Sequence, residues 1–535
     1  MFILAIYKNS GLIVLLFMTM QMLMLKVFNT IPLKFEGNAR MEPLGTITMY
    51  YPFIDDGTKT IMNELMKRAF NYADFARMLA NYVSNEDVSD PIPMIAMKHA
   101  QNLCDIESLN RISKRYGQNF LVKPFFYLCY SCTHGIPQLD KAVTSSQEAL
   151  ERDLENWIQF EILDMKIRAS LNQSSGGPEV ENDLDAMRRL VSNNEDLDCY
   201  ANIVHGLTAA QLWNEGHKQE ALVEYEVAVE SARRVDDRVN LAKLHRNIAS
   251  LLRVSNPTKS RDLLMIAKDM FEELGLGLWD TLTTLGRIYE LRGEFNAALE
   301  HYHESHISLE KRGSPTFSTS LRIAAIYLMI EDGEAALEWA NMALVAGSHS
   351  DPSKSSALHI LARAQILLGE YEEASDNLDF MMNVALKSGF EHILASSYLV
   401  QGLLEKSQGD LKDADLSITR ALETYERHSD QTGINDCLLR LAEIEVESFS
   451  ANDENRHVGS REKALPLLID VARTKDYPGI LGLALLLKAE LLIKQGRTED
   501  AGELLREVHE LAEHPETSFL TDKIDKLRVI VDNAE

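Results

Sequence analysis

The feature that most constrains this 535-residue chain is a small residue that returns, with its surroundings, at nearly constant spacing. Ala221, Ser260, Ala298, Ala336, Ala374, Ala414, Ala464 and Ala501 are separated by 39, 38, 38, 38, 40, 50 and 37 residues. In most copies a glycine stands a few residues earlier, as Gly216, Gly293, Gly369, Gly409 and Gly496. Upstream of that is a second small residue: Ala209, Ala249, Gly286, Ala324, Ala362, Gly402 or Ala489. The clearest copy is LGRIYELRGEFNAALEHYHES, residues 285 to 305. Leu285, Ile288 and Tyr289 share one face of a helix by their spacing of three and four. Gly293 permits the backbone that ends a helix. Phe295, Ala298 and Tyr302 then share a face of a second helix. Two antiparallel helices approach closely only where small residues allow it. That assigns Gly286 and Ala298 to the contact and Tyr289 and Tyr302 to the space around it.

This pattern resembles the tetratricopeptide repeat, TPR: a small residue and Tyr on the first helix, Gly at the turn, then Ala, an aromatic and a small residue on the second. Residues 285 to 305 match it almost position for position, ending on Ser305. Ala336 with Ala343, and Ala221 with Tyr225 and Ala228, match nearly as well. The resemblance covers roughly Asn202 to Pro515, with a weaker unit starting near Ser146. It implies an all-α fold, a right-handed superhelical solenoid of antiparallel helix pairs. The expected organisation is an apolar leader (1–40), a smaller all-helical N-terminal domain (41–145), a linker with a degenerate repeat (146–200), the array (201–514) and a C-terminal capping helix (515–535).

The period is longer than the usual TPR length of about 34 residues. The extra residues fall between hairpins, in KRGSPTFSTS, AGSHSDPSKS and RHSDQTGIND, which are rich in turn formers. Repeats of this length resemble the sensor regions of MalT-type regulators and the kinesin light chain arrays. No Gly-x4-Gly-Lys-Ser/Thr loop accompanies them. The 50-residue gap comes from SFSANDENRHVGSRE, a polar insertion expected to be a mobile loop.

In the family the first helices line a concave groove that binds extended peptides or partner helices. Carried onto this chain, the groove positions include Trp213, Arg246, Asn247, Arg253, Arg287, Glu290, His359, Arg363 and Lys406. Asn247 is placed where an amide can donate to and accept from a peptide bond at once. The Lys and Asn pattern that captures a chaperone's C-terminal carboxylate is not reproduced. The resemblance therefore implies a non-catalytic interaction scaffold. Five of the nine residues are basic inside an acidic chain, so the expected ligand is an acidic protein segment.

The formal net charge of -27, without a clustered run of Lys and Arg, disfavours nucleic acid as a partner. Five cysteines form no disulfide framework and fit a reducing, cytoplasmic interior. Cys129 and Cys132 make a C-x-x-C with His134 two residues on, but no second ligand pair stands at a zinc-site spacing. A metal or redox role for that pair is one alternative. The other is membrane anchoring through residues 11–25, GLIVLLFMTMQMLML, which as a helix would reach roughly 22 Å against a bilayer core of about 30 Å. The same segment reads foremost as a leader upstream of a start at Met41, and least as a signal h-region, since no small-x-small cleavage site follows it cleanly.

No H-E-x-x-H, G-x-S-x-G or strand-borne phosphate loop is present, so no catalytic residue and no cofactor is assigned. His301, His303 and His306 lie close in sequence, but His301 points away from His303, and all three are expected on a solvent-facing flank. In the N-terminal region TIMNELMKRAFNYADFARMLANYV and MIAMKHAQNLCDIESLNRIS read as helical, parted by Pro91 and Pro93. SLNQSSGGPEVEND reads as a flexible loop. TDKIDKLRVIVDNAE reads as the terminal helix an open solenoid needs.

Overall fold

The computed structural model describes residues 44–532 apart from 104, 135, 174–176, 312–313, 348–350 and 450–463, and all regular structure among them is helical. The leader with its apolar segment 11–25, Met41, and most of the polar insertion lie outside the described residues. So do the side chains of Cys129, Cys132 and His134, although helix Lys123–His134 carries them. No helix among the described residues is long and apolar enough to cross a membrane.

Among the described residues the array consists of eight antiparallel helical hairpins. Repeat 1 is Ala201–Asn214 with Lys218–Arg234, and repeat 2 is Arg238–Leu252 with Pro257–Leu274. Repeat 3 is Trp279–Arg292 with Phe295–Lys311, and repeat 4 is Phe317–Met329 with Gly333–Gly347. Repeats 5 and 6 are Asp351–Leu368 with Tyr371–Ser388 and Glu391–Ser407 with Leu411–Arg427. Repeats 7 and 8 are Gln431–Ser448 with Ala464–Lys475 and Pro478–Lys494 with Thr498–Ala512. Helix Thr521–Asp532 follows and packs on repeat 8.

The repeated small residues do what their spacing implies. Ala221, Ala298, Ala336, Ala374, Ala414 and Ala501 are all wholly buried. A Cβ on Gly286 would lie 2.6 Å from the Tyr302 ring, so the tyrosine of the second helix occupies the room the glycine leaves. Gly402 stands in the same relation to Ile418. Tyr289 is half-buried and stacks on His301 with ring centroids 5.3 Å apart. Gly293 adopts φ +74 and its N–H donates to the Glu290 carbonyl, closing the first helix as the left-handed cap requires.

Before the array, each of the two long helical runs is a pair. Helices Asp56–Arg68 and Tyr72–Asn85 break where Asn71 caps the second, and Ile92–Leu103 and Ile106–Tyr116 break where Asp105 does. Of the segment SLNQSSGGPEVEND, read as a flexible loop, the first three residues belong to helix Asn156–Asn172 and the last six to helix Pro178–Asn193, while 174–176 lie outside the described residues. The segment's polar second half is helical because Pro178 supplies a first-turn φ and Glu179 and Glu181 complement the helix dipole.

The expected separate N-terminal domain shares one apolar core with the first two repeats, running from Leu44 and Ile47 through Phe160 to Val239, Phe271 and Leu276. Asp237 ties the two together: it caps its own helix and accepts from Thr46 at 2.6 Å and Asn202 at 2.9 Å. Beneath this core Lys98 sits between the buried carboxylates of Glu161 and Asp164, with Arg168 on Asp164 at 2.6 Å.

At its far end the array curls back on itself. Repeat 8 and the terminal helix abut repeats 3 and 4. Arg292 pairs with Asp476 at 2.7 Å, Asn296 donates to the Pro515 carbonyl at 2.9 Å, and Phe295 packs on Phe519. Lys523 reaches Glu331 at 2.6 Å.

Candidate functional site

Because the array closes, its concave side is partly enclosed. One polar cavity of about 400 Å³ touches the first helix, or its C-terminal end, of every repeat from 2 to 8, from Arg253 through Asp436 to Ile480. A second cavity of about 610 Å³ lies between repeats 4–8 and the terminal helix. A third, of about 560 Å³, lies between the N-terminal helices and repeats 1–3.

The nine residues expected to share one groove are divided among these three. Trp213, Arg246 and Asn247 line the N-terminal cavity. Arg253, Arg287, Glu290 and His359 line the polar cavity, Lys406 lines the second, and Arg363 lines both.

The expected basic strip is mostly neutralised from within. Arg246 pairs with Asp280 at 2.7 Å. Lys406 pairs with Glu443 and Glu447, each at 2.8 Å. Arg363 is only 7% exposed and holds Asp436 by two hydrogen bonds, of 2.6 and 3.1 Å. Such a pair across the interior is possible only because repeat 7 curls round to face repeat 5. Arg440 also binds Asp436, and burial of that carboxyl is outweighed by Arg363 and Arg440, which hold it down to about 2. Glu290 is likewise committed: buried, it accepts from the Tyr302 hydroxyl at 2.5 Å and from Arg322 at 3.1 Å. Its role is to satisfy the repeat's own tyrosine.

Arg253 and Arg287 differ. Among the described residues neither guanidinium has a carboxylate within ion-pair distance, although Arg322 stands close to both. Burial and the neighbouring Arg287 and Arg322 push Arg253 down to about 10. Arg287, more than a third of whose surface is exposed, is displaced the same way by the protein around the cavity and by Arg322. Both remain cationic at neutral pH, and each makes the other costlier to hold. His359 is neutral there: burial and Arg363 push it down to about 3, and its Nδ1 is buried without a hydrogen-bond partner.

Arg322, Asp430 and Asp436 were not assigned from the sequence. Arg322 stands two residues before the repeat's small Ala324, a flanking position like that of Arg287 beside Gly286. Asp436 carries no local signal, because its partner Arg363 lies on another repeat, whereas Asp430 caps its own helix by accepting from the Gly433 N–H. The histidine flank also differs from expectation. His306 is buried, hydrogen-bonds Thr319 at 3.1 Å and meets the Trp339 ring edge-on, as does His303. Trp339, from the next repeat's second helix, covers that flank. Among the described residues no group of three His, Cys, Asp or Glu side chains is placed to hold a metal ion.

No protein-family model and no curated protein matches the chain. Among solved structures it is similar to aspartyl phosphate phosphatase F from Bacillus subtilis, at 12% identity over 76% of this chain and 96% of that one, with a TM-score of 0.40. It is also similar to the Rap conjugation gene regulator of the plasmid pLS20 in complex with the Phr* peptide, at 14% identity over 70% and 96%, with a TM-score of 0.40. The apo quorum sensor NprR from B. thuringiensis is similar at 14% identity over 75% and 99%, with a TM-score of 0.37.

Proposed function

We propose that the protein is a non-catalytic interaction scaffold that takes an acidic segment of a partner protein into the polar cavity of its curled array. The observation that carries this is the contrast among its interior cations. Arg246, Arg363 and Lys406 have carboxylates of their own, whereas Arg253 and Arg287 face the cavity without one. Unpaired guanidiniums held close together are costly, and an incoming carboxylate offsets that cost. The Tyr302–Glu290–Arg322 set beside them is already satisfied and supplies a fixed wall.

The test is affinity capture from the native cell with wild type and with the double variant Arg253→Glu, Arg287→Glu. The variant is expected to lose the captured partner while keeping its helicity and melting behaviour. Capture by wild type should weaken as salt rises. If the double variant holds the same partner equally well, the binding surface is the convex face or the N-terminal helices instead.

A further inference from the structure

The polar cavity does not end at its own lining. Met329 and Arg363 line both it and the 610 Å³ cavity, so the two meet at the Arg363–Asp436 bridge. The larger cavity is the more apolar of the two. Leu328, Ile366, Leu403, Leu439, Leu483 and Leu486 give it aliphatic walls. Most of the charges at its margin are satisfied: Lys406 by Glu443 and Glu447, Arg440 by Asp436 and Glu443, Lys523 by Glu331. A hollow of this volume is within the range of ligand sites, about 300–1,000 Å³. The terminal helix Thr521–Asp532 forms one wall through Leu527 and is fastened across the opening by Lys523 on Glu331.

We propose that the two cavities are one bipartite site, the polar part receiving a carboxylate of the partner segment and the apolar part a bulky aliphatic or aromatic side chain a few residues away. This rests on the function proposed above and adds the partner's second determinant. Charge complementarity fixes one end of the occupant: an anion belongs beside Arg253 and Arg287, while the paired rim of the larger cavity attracts neither sign. The groups between them mark the occupant as peptide. Gln431, Thr432 and Asn435 line the polar cavity; Gln431 donates to the Asn435 side-chain oxygen at 2.9 Å, which leaves the Gln431 carbonyl, the Asn435 amide hydrogens and the Thr432 hydroxyl able to serve a peptide backbone. A fatty acid would leave that hydrogen-bonding capacity unused.

The experiment selects phage-displayed random dodecapeptides on the immobilised full chain, then measures synthetic copies by fluorescence anisotropy. Selected peptides are expected to pair Asp or Glu with Leu, Ile, Met, Phe or Trp within a few positions. Leu403→Trp and Leu487→Trp, on different helices, each fill the apolar cavity. Each should weaken these peptides about tenfold or more, the worth of one buried side chain, and leave an acidic peptide without apolar residues unaffected. Arg253→Glu with Arg287→Glu should abolish binding of both kinds.

Selected peptides that are acidic but carry no apolar preference, or affinities that neither tryptophan moves, overturn the bipartite site and leave the anion-binding function standing. Selected peptides without acidic residues, or no selection above an unrelated protein, overturn both. Laurate that displaces the peptides and binds at least as tightly would make the occupant a lipid and overturn the peptide assignment. Because peptide composition is read on wild-type protein, a tryptophan variant that fails to fold does not remove the test.

Discussion

Gly293 and Gly479 face each other backbone to backbone: a Cβ on Gly479 would lie 1.9 Å from the Gly293 carbonyl oxygen. Gly293 thus serves twice, as the left-handed cap of repeat 3 and as the point where repeat 8 meets it. Around this contact stand Arg292–Asp476 and Lys523–Glu331, whose acids both occupy residues of positive φ, Asp476 at 56 and Glu331 at 65. Closure is therefore built from specific backbone geometry as well as from apolar packing.

Gly479→Ala isolates closure from turn chemistry, because Gly479 is not in the left-handed region. Its methyl group cannot fit unless repeats 3 and 8 separate. The expected outcome is unchanged helicity with a larger radius of gyration by small-angle X-ray scattering. Faster proteolysis near residues 476–480 should accompany it. An unchanged radius would show that the contact yields locally. Gly293→Ala should do more harm, adding about 1–2 kcal/mol for the left-handed backbone.

Within a repeat the sequence is a good guide, and between distant repeats it is not. Ala298, Gly286 and Tyr302 could be assigned from spacing because the helices they join are consecutive. So could the turn at Gly293. The pairing of Arg363 with Asp436 could not, since it depends on how far the array curves over three repeats. The same curvature separates Trp213 and Lys406 into different cavities although both occupy first-helix positions. Charge counting along one face missed the neutralisation because the acids come from other repeats: Asp280 and Glu443 from the next one, Asp436 from two repeats on. The hairpin pattern repeats with the period, but small rotations per repeat accumulate.

Ala298→Leu should be poorly tolerated. Ala298 is wholly buried where the two helices of repeat 3 meet, next to Tyr302. Extra methylenes there should destabilise by about 1–3 kcal/mol. Gly286→Ala is the finer probe, since its methyl meets the Tyr302 ring at 2.6 Å. Tyr302→Leu in the Gly286→Ala background should recover part of the loss by freeing that room. Urea unfolding checks all three, and additive losses in the double variant would count against the ring–glycine contact.

Acid should destabilise the protein well before its carboxylates titrate. Burial and then Lys98 push His99 down to about 3, and burial and then Arg363 do the same to His359. Unfolded, both would take up protons near the ordinary histidine pKa of about 6.5. Their neutral burial is thus fully compatible with the fold above pH about 6.5, and stability falls as pH drops from there toward 3. The slope is at most about 1.4 kcal/mol per pH unit for each group. His359→Gln should flatten the decline measured between pH 6.5 and 5. A slope identical to wild type would mean that His359 is protonated in the folded protein.

Asp436→Asn should be among the most damaging single changes in the interior. Arg363 and Arg440 are both largely buried, and Asp436 is the carboxylate they share. Removing its charge leaves Arg363 without an anionic partner among the described residues, at an expected cost of about 3–5 kcal/mol. Arg363→Met together with Asp436→Leu should recover most of that, because the desolvation cost then disappears on both sides. The single variant also changes recognition. Arg363 would join Arg253 and Arg287 as a third unpaired cation lining the polar cavity, so an acidic peptide should bind more tightly and with a steeper salt dependence. That affinity gain is the informative outcome, since loss of stability alone would weaken binding. If affinity for an acidic peptide falls in folded Asp436→Asn protein, the carboxylate of the ligand does not sit in this cavity.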